Sequence, residues 1–126
     1  MKYLLLIYSN PKVWGHPMFL HQDEELSDDE RARRLKQFGE LMDEIHDSGE
    51  LVTSGALAAP STGRFVHLAD DPTDGPFSEA KEQLAGYFVV DCDSIERATE
   101  LASRFPDARQ GGVEVRPIMD EAGMEM

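Results

Sequence analysis

The sequence predicts a single α+β domain, and three observations support this. Short apolar runs alternate with two longer segments that repeat apolar residues at helical spacing. The chain has 126 residues, 40% hydrophobic and 29% charged, which is typical of one folded domain. A chain of this length can bury a hydrophobic core without cross-links, and its lone cysteine cannot form an internal disulfide. We therefore expect one domain over residues 1–118, with a loose tail at 119–126.

The first third of the chain predicts a strand, a long loop and a helix. Residues 3–8 form a short run that is apolar throughout, which indicates a strand buried on both faces. Residues 9–26 contain prolines and a glycine without a steady period, which indicates a long loop and a candidate lid. Ser27 and Glu30 form a capping box. The helix that follows has an apolar face and ends at Gly49; the face comprises Leu35, Phe38, Met42 and Ile45.

The middle of the chain predicts two strands separated by turns. Residues 51–57 are strand-like, and 59–63 have the composition of a turn. Residues 64–69 are a third strand candidate. Residues 70–77 contain too many turn formers to continue a ladder. Residues 78–84 suit a short helical turn.

The last third predicts a strand, a helix and an edge strand. Residues 86–90 are again apolar on both faces. Asp93 and Glu96 form a capping pair, and a proline ends the helix after them. Residues 113–118 alternate like a half-exposed edge strand, because the proline near their end cannot donate to a central ladder. The predicted apolar face of the helix comprises Ile95, Ala98, Leu101, Ala102 and Phe105.

This order of elements predicts a ferredoxin-like, split β-α-β arrangement with two helices on one face of an antiparallel sheet. The first and fourth strands are apolar on both faces, and no third long helix is predicted to cover the second face. A second copy of the chain would cover it, which predicts a homodimer with small-molecule pockets between sheet and loops. The alternative is a monomer whose loop at 9–26 folds over its own sheet.

Charge and hydropathy exclude several classes of partner. The chain carries 25 acidic and 12 basic side chains and a net charge of −13, so nucleic acid and anionic membranes are repelled. No apolar stretch is long enough to cross a bilayer, and the N-terminal apolar run is shorter than a signal-peptide core. The spacing of cysteine and histidine supports no metal motif. We expect a cytoplasmic protein without a metal or other cofactor.

Residues 74–77 read Asp-Gly-Pro-Phe and continue as Ser-Glu-Ala-Lys-Glu-Gln-Leu-Ala-Gly-Tyr up to residue 87. This motif is similar to the signature of the DGPF-domain proteins, a branch of the YCII-related family. The segments at 1–8, 89–94 and 105–117 agree with the family in the same order. The resemblance implies a ferredoxin-like fold assembled as a dimeric α+β barrel. It also implies kinship with cofactor-free lyases and isomerases that use a pocket acid–base residue, and, for DGPF proteins, a frequent gene neighbourhood with extracytoplasmic-function sigma factors.

Asp74 is the candidate catalytic acid or base. Burial in a pocket between sheets would raise the pKa of its carboxyl towards the range that suits proton transfer. The alternative is that the four-residue motif only sets a tight turn, since Gly75 tolerates positive φ and Pro76 fixes φ. Lys81 is a candidate electrophilic partner or counter-ion, and Tyr87 is a candidate hydrogen-bond donor; a solvated turn and core packing are the respective alternatives.

Five further side chains are candidate ligand contacts. Tyr8 can donate a hydrogen bond to a bound carbonyl, with ring packing and a hydroxyl satisfied at the rim of the core as the alternative. Loop histidines beside acidic residues can carry protons near neutral pH. Arg116 can hold a carboxylate in a bidentate fork, with surface ion pairing as the alternative. The complete set is Tyr8, Trp14, His16, His21 and Arg116. Cys92 is expected to be a buried, inert thiol.

Two functions fit these residues. The first is a small-molecule-binding homodimer with cofactor-independent acid–base activity of the lyase or isomerase kind. The second is a non-catalytic binding or regulatory module whose acidic surface meets a basic protein partner, such as an extracytoplasmic-function sigma factor. The sequence leaves open whether the protein is an enzyme.

Overall fold

A computed structural model describes residues 1–9, 27–69, 71, 83–109 and 111–120, and the backbone of residues 73–74. Short 3-10 turns at Pro60–Thr62 and Pro106–Arg109 connect some of its elements. In chain order the elements are β1 (Lys2–Ser9), α1 (Asp28–Asp47), β2 (Leu51–Ala56), β3 (Arg64–Phe65), β4 (Thr73–Asp74), β5 (Gln83–Asp91), α2 (Ile95–Ser103) and β6 (Val113–Pro117).

The main sheet has four strands in the order β2-β5-β1-β6, and every neighbouring pair is antiparallel. Strand β5 lies between β1 and β2, so the β1-α1-β2 unit is split in the way the sequence predicts. The α+β class is therefore confirmed, and the strand order is consistent with a ferredoxin-like fold. Strand β6 is an edge strand, as its proline predicted.

The hydrophobic core lies between one face of this sheet and the two helices. In β1 the buried residues Tyr3, Leu5 and Ile7 alternate with Leu4 and Leu6, which are only half-buried. Within the single chain, the prediction of burial on both faces is therefore confirmed for one face. Helix and loop residues complete the core; they are Leu41 and Ile45 of α1, Ala98, Leu101 and Ala102 of α2, and Phe105.

Helix α1 begins and ends where its sequence predicts, but only the Ser27 half of the capping box forms, because the Glu30 carboxylate accepts from Arg33 and Arg34. The Ser27 hydroxyl accepts a hydrogen bond from the Glu30 amide at 3.1 Å, which satisfies one of the unpaired N–H groups of the first turn. Gly49 follows the helix with φ of +80°, a conformation that favours glycine. The predicted apolar face holds except at Leu35, which is 44% exposed.

Helix α2 is correctly predicted, but its cap lies one residue further along the chain. The cap is Ser94, not Asp93, and its hydroxyl accepts from the Arg97 amide at 3.2 Å. Both residue types cap helices, so only the backbone geometry decides between them. Ile95 is 41% exposed, which contradicts its place on the predicted apolar face.

The segment between β2 and β5 differs most from the prediction. Only Arg64–Phe65 of the predicted strand 64–69 is extended in a ladder, and it pairs with Thr73–Asp74. The prediction that residues 70–77 form no ladder is therefore wrong for residues 73–74. Strand β5 begins at Gln83, three residues before the predicted start, so residues 83–84 are strand and the rest of the predicted turn at 78–82 lies outside the described residues.

Candidate functional site

The candidate site is the sheet face that is turned away from α1 and α2, which we call the open face. The register places Leu6 of β1 beside Tyr87 of β5 and Glu114 of β6, so these three side chains share one face. The same alternation adds the remaining members. The open face comprises Leu4, Leu6 and Tyr8 of β1, Leu84, Tyr87 and Val89 of β5, Glu114 and Arg116 of β6, and Thr53 and Gly55 of β2.

Three polar side chains form a connected cluster at the β6 edge of the open face. The Tyr8 hydroxyl donates to Glu114 Oε1 at 3.0 Å. The Arg116 Nε donates to Glu114 Oε2, also at 3.0 Å. Glu114 therefore holds both neighbours, and the side chain of Arg116 remains 66% exposed. We call these three residues the Tyr8 cluster.

The electrostatics of the Tyr8 cluster fix its protonation at neutral pH. The hydrogen bonds from Arg116 and then from Tyr8 lower the pKa of the Glu114 carboxyl. Burial, followed by the hydrogen bond to Glu114, raises the pKa of the Tyr8 phenol. Glu114 is therefore ionised and Tyr8 protonated. The cluster presents a phenol donor and a guanidinium whose five N–H donors are only partly used by Glu114, which suits recognition of a carbonyl or carboxylate.

A β-bulge lies directly beside Tyr8. Ile7 pairs with Gly86 but Tyr8 pairs with Leu84, so Ala85 is an extra residue in β5. The carbonyl of Ala85 accepts from the Leu57 amide at 2.8 Å, which holds the bulged residue in place. Bulges bend a strand and re-aim the side chains next to them, and they are frequent beside active sites.

Tyr87 lies on the open face but leans towards the opposite edge. A Cβ built on Gly55 would lie 2.8 Å from both Cε1 and Oη of Tyr87, so the ring covers this glycine of β2. Edges β2 and β6 are three strand spacings apart, or about 14 Å. The hydroxyls of Tyr8 and Tyr87 therefore point to opposite halves of the face and do not converge on one small carbonyl.

Within the described part of the chain, three of the eight predicted site residues lie on the open face: Tyr8, Tyr87 and Arg116. Tyr8 and Arg116 meet through Glu114, whereas Tyr87 stands apart. The backbone of Asp74 pairs with Arg64, and its side chain lies outside the described residues. The positions of Lys81, Trp14, His16 and His21 also lie outside them.

Glu114 is the member of the Tyr8 cluster that the sequence analysis did not select. The alternation of Val113-Glu114-Val115-Arg116 does place Glu114 and Arg116 on the same face, so this signal was present. Cys92 is buried, and burial raises the pKa of its thiol, which is the environment expected for an unreactive cysteine.

Two further features of the described residues bear on the type of site. No three of their histidine, cysteine, aspartate and glutamate side chains are grouped closely enough to hold a metal ion. Neither α1 nor α2, the two α-helices within the described ranges, is long and apolar enough to cross a membrane. The chemistry that the open face offers rests on phenol, carboxylate and guanidinium groups.

Comparison with known proteins decides the family. The model of the YCII-related domain matches residues 1–122. The chain belongs to the YCII-related family. It is also similar to an uncharacterized protein of Rhizobium meliloti (strain 1021), with 27% identity over 94% of this chain and 92% of that protein. The resemblance carried by the Asp-Gly-Pro-Phe motif is thus confirmed.

Proposed function

We propose that this YCII-related protein is a cytoplasmic homodimer whose open faces cover one another and enclose a small-molecule site. The observation that carries the proposal is the composition of the open face. Leu4, Leu6 and Val89 form an apolar strip at its centre, half-buried in the single chain, beside the Tyr8 cluster. An apolar strip with a few converging polar groups is the usual composition of a ligand site.

The apolar strip favours a second copy as its cover. Leu4 and Leu6 lie on β1, an inner strand of the sheet, where water-exposed leucine is uncommon in a stable domain. Face-to-face packing of two sheets removes such side chains from water at a separation of about 10 Å. A two-fold axis through the strip packs the strip of one chain on the same strip of the other chain, which is the geometry of an isologous dimer.

The chemistry we propose is cofactor-independent proton transfer on a small organic acid or ketone, an elimination or isomerisation. Arg116 and Tyr8 bind the carboxylate or carbonyl of the ligand, and Glu114 positions both. Asp74 is the proposed acid–base group, with Lys81 as its counter-ion. Tyr87, Trp14, His16 and His21 are proposed to complete the pocket wall.

The dimer is tested by the mass of the protein in solution at micromolar concentration, measured by light scattering after size-exclusion chromatography. We expect the mass of two chains for the natural protein and of one chain for Leu4→Lys, because the register places position 4 beside Arg116, so an ammonium buried there would face a like charge. Leu35→Lys is the matched control, since Leu35 is exposed on α1. A natural protein that is monomeric under these conditions would refute the proposal.

The ligand site is tested by native mass spectrometry of protein purified from its own cells. We expect a bound small molecule in the natural protein and its loss in Arg116→Gln, while Arg31→Gln, which removes the same charge from α1, retains it. Asp74→Asn separates binding from chemistry. This variant should retain the ligand and lose turnover. Turnover at the natural rate would show that Asp74 is not the acid–base group.

A second function, a regulatory module that binds a basic protein such as a sigma factor, has one observation in its favour. Around β3, the side chains of Phe65, Val66 and Leu68 are 53%, 66% and 103% exposed on a chain with a net charge of −13. Exposed apolar side chains within an acidic surface suit a basic, partly apolar partner. Affinity purification from the native cell should then recover a basic partner that salt releases, and Leu68→Ser should abolish its capture.

A further inference from the structure

On the opposite side of the molecule from the open face, a groove of about 330 Å³ lies between α1 and the segment that follows α2. Its volume falls in the range of small-molecule sites, about 300–1,000 Å³. Three arginines from three different segments line it: Arg34 of α1, Arg104 after α2, and Arg109 of the 3-10 turn. We infer that this arginine groove binds a small organic oxyanion.

The charge of the groove opposes that of the protein as a whole. The chain has a net charge of −13, yet three guanidinium groups face a single carboxylate, Glu40, in the lining. Arg104 and Arg34 are already held by acidic partners outside the lining. Arg109 is different, because no carboxylate within the described ranges forms an ion pair with it. An anion that binds in the groove can therefore form an ion pair with Arg109, which has no acidic partner among the described residues.

The charges of the two paired arginines are partly compensated, but their ion pairs hold the guanidinium groups in fixed orientations. Arg104 donates to both oxygens of Glu44, at 2.7 and 3.2 Å, which fixes the plane of its guanidinium. This uses two of its five N–H donors. Arg34 donates to Glu30 at 3.1 Å, and its side chain is only 14% exposed. Rigid, partly buried donors bind an anion at a lower entropic cost than mobile surface side chains do.

The floor of the groove is aromatic. Phe38 and Phe105 both line it, with ring centroids 5.8 Å apart. Phe38 is half-buried and Phe105 is 2% exposed, so both rings are anchored in the core. Rings beside guanidinium groups favour a ligand with a planar apolar body and one anionic end. An aromatic carboxylate combines these features, while a phosphate ion matches the guanidinium groups alone.

We test the inference with two probes, benzoate and inorganic phosphate, titrated separately into the full chain at low ionic strength. Chemical shifts of the backbone amides are followed by NMR. We expect saturable shifts at residues 103–109. Stronger binding of benzoate than of phosphate supports an aromatic carboxylate, and the reverse order supports a phosphate-bearing ligand. The absence of saturable shifts at residues 103–109 with both probes overturns the inference.

Single-charge variants locate the binding. Arg109→Gln should weaken it by about tenfold or more, the loss expected for one charge-assisted hydrogen bond. Arg31→Gln removes the same charge from α1 outside the lining and should change binding by no more than about twofold, because Arg31 contributes no donor to the groove and water and salt screen its charge. Equal affinity in Arg109→Gln and the natural protein contradicts the inference. Arg116→Gln should leave these shifts unchanged, which separates the arginine groove from the open face.

Discussion

The ion pair between Arg97 and Glu50 makes a stability prediction that can be worked from the structure. Arg97 Nε and Nη2 donate to the two oxygens of Glu50, both at 2.9 Å, in a bidentate fork. The pair joins α2 to the segment that leads into β2. The Glu50 side chain is only 15% exposed, and that of Arg97 is 28% exposed. We consider Arg97→Met, which removes the charge and keeps most of the apolar stem.

The expected cost follows from what Glu50 loses. A charge-assisted hydrogen bond contributes about 1.5–3 kcal/mol net, and a buried carboxylate left without its cation costs more. Exposure of Arg97 reduces these values, because water replaces part of the lost interaction. The Ser48 hydroxyl also continues to donate to Glu50 at 2.8 Å. We therefore expect Arg97→Met to lower the free energy of unfolding by about 2 kcal/mol.

Urea denaturation at neutral pH measures this difference. Arg97→Met is compared with Arg33→Gln, since Arg33 is 61% exposed in a pair with Glu30, and we expect the control to change stability by less than about 0.5 kcal/mol. The double variant with Glu50→Gln should recover most of the loss, because no buried charge is then left unpaired. A loss below about 0.5 kcal/mol for Arg97→Met, or no recovery in the double variant, would refute the reasoning.

The same pair predicts a dependence on pH. The hydrogen bond from Arg97, and then that from Ser48, lowers the pKa of Glu50 in the folded protein. A group whose pKa is lowered by folding contributes its full stability above its unfolded pKa, about 4.3. This contribution is lost as the pH falls through the folded pKa. The difference between the natural protein and Arg97→Met should therefore be constant near neutral pH and shrink below about pH 4.

Three further predictions concern individual features. Ser94→Ala should cost about 1 kcal/mol of unfolding free energy in urea, and Asp93→Ala less than about 0.5, because only Ser94 caps α2; the reverse order would contradict the assigned cap. Gly55→Ala should move the NMR signals of the tyrosine ring above it and change stability by no more than about 1 kcal/mol, since that ring is not in the core. Glu114→Gln should lower the pKa of Tyr8 in a spectrophotometric titration, because it removes an anion that raises that pKa; an unchanged value would argue against the hydrogen bond between them.

The sequence predicts the fold well where periodicity and composition act together. The cap at Ser27, the helix that follows it and the edge position of β6 all match. Two faces of a strand are harder to assign, because the continuous apolar run of β1 does not show which side meets the helices. The pairing of β3 with β4 was missed because cross-strand contacts override a local sequence that is rich in turn formers.

The candidate site was predicted only in part, for a physical reason. Tyr8 and Arg116 were selected for their chemistry, but their connection depends on Glu114, which lies between them only once β1 and β6 pair. Residues from opposite ends of the chain meet at this point. Spacing along the sequence carries no direct signal for such contacts, whereas strand alternation indicates at least that Glu114 and Arg116 share a face. The roles of Asp74, Lys81, Trp14, His16 and His21 stay predictions.

The position of β1 between β5 and β6 has a consequence for biosynthesis. Tyr3 pairs with Val90 on one side and with Pro117 on the other, so both neighbours of the first strand are translated long after it. The nascent chain therefore carries an apolar strand without its partners until almost all of the domain has left the ribosome. Sheets built from such distant pairings form slowly and expose aggregation-prone segments on the way. Chaperone binding to β1 in the emerging chain is expected to affect the yield of folded protein.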